Sequence, residues 1–174
     1  MNGHACQPAA EGQPARQIDR ARLREANINP ATGLATDYLN HFNEAIMMLE
    51  LIPVMPDCIA DLLGWRVMSY CEHFLSTQQK HRELVLAAYE AADPQARHSL
   101  DELTASMDQI LTATRDALRL HFSPAVTGAL AQEAASQLKA LVARAGAVIN
   151  GLDVTGDLPM TGVAQAAVDA LLGR

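Results

Sequence analysis

From Ala96 to His121, one register of the chain runs in an unbroken 4-3 rhythm through Ala96, Leu100, Leu103, Met107, Ile110, Thr114, Ala117 and His121. That spacing lays a narrow, mostly apolar stripe along one side of a helix about seven turns long, and such a stripe is buried only against other helices. The helix has a defined start as well. Asp93 can cap it, and Pro94 takes the first helical position, where a missing N–H is not needed. A seam of this length predicts an all-α fold, an up-and-down bundle of four principal helices with short accessory helices.

The rest of the chain supplies the partners. Ser123-Pro124 repeats the start signal and opens a helix to Asn150-Gly151, with Leu130, Ala134, Leu138, Leu141, Ala145 and Val148 facing inward. Another helix is predicted from Thr36 or Asp37, either of which can cap it, to about Leu51, where Pro53 and Pro56 stop it. Its stripe is Tyr38, Phe42, Ala45, Leu49 and Ile52. Asp57 is placed to cap a short helix ended by Gly64. Two capping-box spacings, Ser69 with Glu72 and Ser76 with Gln79, predict either a short helix followed by a longer one or a single helix with an irregular turn near Ser76. No run of four residues alternates apolar and polar between turn signals, so no strand is expected.

With 174 residues, 49% of them hydrophobic, the chain suits one core. Residues 1–30 read as a flexible N-terminal arm and 31–151 as the helical bundle domain. Residues 152–174 read as a connector plus a short C-terminal helix, Val163, Ala167 and Leu171 on one side, packing on the bundle or a second copy. Aromatic residues make up only 4%, which predicts a core of Leu, Met, Val and Ala rather than of rings. The net charge is −7. The arm sets Arg16, Arg20, Arg22 and Arg24 against Glu11, Asp19 and Glu25, a balance of +1 that leaves −8 on the remainder. An acidic body repels phosphate, so no nucleic-acid partner is expected, and no apolar run is long enough to expect a membrane span. Met1 to Gln13 does not read as a secretory leader, and Cys6, Cys58 and Cys71 are odd in number and widely spaced, which suggests neither a disulfide framework nor a zinc knuckle. A cytoplasmic protein follows as the expectation.

Chemistry is concentrated in one place. Asp37, His41 and Glu44 share a helix face that continues into Met48 and Leu51, so ionisable groups are set against a core. His41 should then be at least partly buried, with Tyr70, Glu72 or His73 as its partners. These six residues, Asp37, His41, Glu44, Tyr70, Glu72 and His73, form the candidate ligand site. Within it, His41, Glu44 and His73 are the candidate ligands for a divalent metal, the one cofactor the residue types suggest. Di-iron bundles use Glu-x-x-His twice plus a glutamate on each of two further helices; here the order is His-x-x-Glu, and it occurs once. Phosphate-binding, nucleophile-elbow and zinc-protease motifs are absent, and no catalytic residue is assigned. The function expected is a non-enzymatic binding or regulatory module acting through helix surfaces, with a protein partner or a second copy of itself. The alternative is a metal- or small-ligand-binding bundle around His41.

Overall fold

The structure, a computed structural model, describes residues 19–77, 80–120 and 122–152. These form α1 (Arg20–Glu25), a 3-10 turn (Thr36–Leu39), α2 (Asn40–Leu51), α3 (Cys58–Gly64), α4 (Tyr70–Ser76), α5 (Arg82–Glu90), α6 (Pro94–Leu118) and α7 (Pro124–Ile149). Among the described residues the fold is all-helical, with one isolated bridge between Ile28 and Ala35 in place of any strand. None of their helices is long and apolar enough to cross a membrane.

The frame is α6 packed along α7, with α2 laid against α7. On α6 the buried row is Leu100, Leu103, Met107, Leu111, Thr114 and Leu118. Ile110 and Ala117 are only half-buried. A straight helix has 3.6 residues per turn, so the strict 4-3 row drifts off the core and its neighbours Leu111 and Leu118 take the deep positions. On α7, Ala131, Ala134, Ala135 and Ala145 share the buried side with Leu138, Leu141 and Val148. Their small size lets α2 approach with Ala45 and Leu49 fully buried. An exposed Lys139–Glu50 ion pair spans the same two helices at the surface.

The start signals act as the sequence implies at three helices. Asp93 Oδ1 accepts the Ala96 N–H at 2.8 Å, Ser123 Oγ accepts that of Val126 at 3.5 Å, and Ser69 with Glu72 makes a reciprocal capping box. Two other caps differ. The chain enters α2 through the 3-10 turn, so neither Thr36 nor Asp37 caps it, and Asp57 precedes α3 without a side-chain cap bond. Ser76 ends α4 instead of starting a helix, its hydroxyl donating back to the His73 carbonyl at 2.8 Å. The region therefore holds two short helices, α4 and α5. Gln79 and His121 lie outside the described residues.

The expected arm is corrected in its second half. Residues 19–30 carry α1, and Leu23, Ala26 and Ile28 are in the core, because these apolar side chains outweigh the arginines that share the segment. Residues 1–18 and the helix expected near Thr161 to Leu172 lie outside the described residues. After α1 the chain forms a clasp. Thr32 Oγ1 donates to the Ile149 carbonyl at 2.6 Å, closing a loop of 117 residues, and the Asp93 N–H reaches the Thr32 carbonyl at 3.3 Å. Gly33 sits at φ +76° against Ala88 and Ala92, where a Cβ would come within 2.8 Å of the Ala88 carbonyl oxygen. The Thr32→Val variant keeps the shape and strands the buried Ile149 carbonyl. It should lose about 1 to 2 kcal/mol in a denaturant titration, and an unchanged midpoint would show that the clasp bond contributes nothing.

The cysteines divide. Cys58 is a buried free thiol. Cys71, equally buried, is disulfide-bonded, which corrects the expectation drawn from spacing: separation along the chain says little about separation in space.

Candidate functional site

Rings gather where the sequence predicts an aliphatic core. Tyr38, Phe42, Trp65, Tyr70 and Phe74 are all buried, and they surround two histidines. The arrangement follows from local register. Tyr38 lies in the 3-10 turn and Phe42 four residues later on α2, with His41 beside it; Tyr70, His73 and Phe74 share the inner side of α4 through their three- and four-residue spacings. Trp65 comes from the loop after α3, held by its indole N–H donating to the His41 carbonyl at 3.2 Å.

His41 is 3% exposed and His73 8%. The His41 ring stacks on Trp65, centroids 4.4 Å apart and planes 18° apart. His73 meets Phe74 edge-on at 5.0 Å and Tyr38 at 5.7 Å. The two imidazoles lie 6.0 Å apart with their planes tilted by 50°. The backbone of Arg66 lies beside the His41 ring and that of Asp37 beside the His73 ring, and each favours the protonated imidazole. A neighbour that favours the protonated ring is one toward which a ring N–H can be directed, as a backbone carbonyl is. Each ring also keeps one buried nitrogen with no hydrogen-bond partner, Nε2 of His41 and Nδ1 of His73. A neutral imidazole carries one N–H; where that N–H serves the carbonyl, the remaining nitrogen is a bare lone pair.

Burial dominates the electrostatics. Desolvation, then the neighbouring His73, pushes the His41 pKa down from 6.5 to about 4. Desolvation lowers that of His73 too, opposed by the charges of Glu44 and Asp37. Desolvation raises both tyrosines; for Tyr38 the Asp108 carboxylate adds to it, and for Tyr70 the bond from the Ala35 N–H opposes it. Around the ring cluster the hydroxyls are committed, Tyr38 donating to the Met68 carbonyl at 2.9 Å and Tyr70 accepting from Ala35 N–H at 2.9 Å.

Of the six candidate residues, the structure brings His41, His73 and Tyr70 into this nest. Asp37 is half-buried in the 3-10 turn and Glu44 is exposed on α2, near enough for His73 to feel both charges. Glu72 is spent elsewhere: its carboxylate accepts the Ser69 N–H and hydroxyl, both at 2.8 Å. Among the described residues no group of three or more His, Cys, Asp or Glu is gathered to hold a metal ion, so His41, Glu44 and His73 as a divalent-metal triad find no support there.

Sequence reasoning missed two participants. Trp65 sits in a loop without periodicity, where nothing signals its direction. Asp108 adjoins Met107 of the α6 seam; its Oδ1 is buried without a partner, and burial raises its pKa to about 7. Compared with known protein families, curated proteins and solved structures, the chain matches none.

Proposed function

We propose that this chain is a non-enzymatic regulatory or binding module whose state is set at the His41–His73 contact and read out through its helix surfaces. One observation supports this above the others: two imidazoles are buried in a single aromatic nest, each with a nitrogen left bare. A structural core gains nothing from unpartnered polar atoms, which cost stability, so a nest that keeps two of them is suited to a stimulus that changes their state. The contact joins α2 to α4 across the loop carrying Trp65, and charging either ring would drive these segments apart. The groups facing it are Asp37 and Glu44 from the 3-10 turn and α2, Tyr70 from α4, and Tyr38, which links it to Asp108 of α6.

Within this proposal, the described helices belong to an up-and-down bundle in which α4 and α5 stand for one of the four principal helices. The output is an interaction with a protein partner or a second copy. Exposed Val54, Met55 and Leu120 offer apolar contact area, with Pro53 seated against Gly128 at the start of α7. Hydrogen exchange tests the proposal. With His41 at about 4 when closed and near 6.5 when opened to water, the opened fraction of α4 should rise about 30-fold between pH 7.5 and pH 5, after correction for intrinsic exchange rates. In His41→Phe that rise should shrink to what His73 alone supplies. An opened fraction that ignores pH, or rises equally in the variant, refutes the proposed switch.

A further inference from the structure

The two bare nitrogens do not satisfy one another. If each ring donates its N–H to a carbonyl, both remaining nitrogens are lone pairs, and two lone pairs cannot bond together. With the ring centroids 6.0 Å apart, a single guest that accepts electrons from both, or donates a proton to each, would satisfy them. Donation of the far N–H to a backbone carbonyl is also the arrangement that orients metal-ligating histidines and raises their basicity.

We propose that His41 Nε2 and His73 Nδ1 together hold a monovalent d10 metal cation, of the copper(I) class, in two-coordinate geometry. This deepens the reading of the same contact as the responsive element. An ion on a straight N–M–N line with bonds of about 2 Å puts two imidazole centroids about 6 Å apart, and the rings lie 6.0 Å apart. Rotation about such a line is unconstrained, so the 50° tilt is no obstacle. The number of donors selects the metal. Zinc and other divalent ions want four or more ligands, and no group of three or more His, Cys, Asp or Glu is gathered here among the described residues. A single positive charge costs less than a double one in so buried a nest, and Trp65 against the His41 ring and Glu44 and Asp37 near His73 offset part of that cost.

Silver(I) is the probe, because it shares the d10 two-coordinate chemistry and needs no reductant that would disturb the Cys71 disulfide. Trp65 is the only tryptophan, so its fluorescence reports from the site. Titrating the full chain with silver nitrate in chloride-free buffer should quench Trp65 with one equivalent bound, and X-ray absorption should show a shell of two nitrogens. His41→Gln and His73→Gln should each weaken binding by about 100-fold or more, their folding checked by circular dichroism. Failure of silver to quench Trp65, a sulfur shell pointing to Cys58, or equally tight zinc binding would each overturn the proposal. If either variant fails to fold, the wild-type absorption shell decides alone. No silver binding together with a retained pH response of α4 would mean that a bridging water is the guest, leaving the proton-responsive reading intact and the metal refuted.

Discussion

Acidification from pH 7.5 to pH 4 is expected to remove about 3 kcal/mol of folding stability through His41 alone, a loss that the His41→Phe variant does not share. In the folded chain His41 titrates at about 4 instead of 6.5, so between these values the unfolded chain binds more protons. Stability contributed by the neutral ring is therefore fully present above about 6.5 and is lost as pH falls toward 4, at about 1.4 kcal/mol per pKa unit. His73 acts in the same direction, its pKa also being lowered. Denaturant midpoints of wild type and variant, each measured at both pH values, give the difference directly. Parallel pH dependence in the two proteins would sink the claim that His41 is held neutral by its surroundings.

The opposite sign is expected at Asp108. Its folded pKa is raised to about 7, so the native state binds the extra proton, and the stability tied to that proton is lost as pH rises from about 4 through 7. Asp108→Asn removes the ionisation. The variant should be more stable than wild type by about 2 to 3 kcal/mol at pH 8, after allowing for the screening that a half-buried carboxyl receives, and no more stable at pH 4. A gain that persists at pH 4 would mean that the carboxylate charge is not its source. Because the histidine and the aspartate oppose each other between pH 4 and 7, the wild-type acid curve alone is flattened. Only the single variants separate the two contributions.

What could be read from the chain follows from how local the determinants are. Asp93-Pro94, Ser123-Pro124 and the Ser69–Glu72 box act within one turn, and all three start helices as read. The burial of His41 was legible because Met48 and Leu51 share its face and cannot all be turned to water. Contacts made by non-periodic segments were not legible. Trp65 lies in a loop, and Leu23 and Ile28 are too few and too crowded by arginines to announce a buried helix. The ring cluster escaped a composition argument for a related reason: a low total of aromatic residues says nothing about whether they are placed together.

The clasp also bears on the order in which the molecule comes together. The α6–α7 pairing joins neighbours in the chain and costs little loop entropy, whereas the bond from Thr32 to Ile149 must close a loop of 117 residues. The hairpin of the two long helices is thus the expected nucleus, and the segments that precede Pro94 dock onto it late. His41 and His73 both belong to that late-docking part, so the nest is expected to form and dissolve on the native side of the folding barrier. Exchange of its guest need not wait for the molecule to unfold, and weakening the clasp at Thr32 should speed dissolution of the nest while leaving the speed of nucleation untouched.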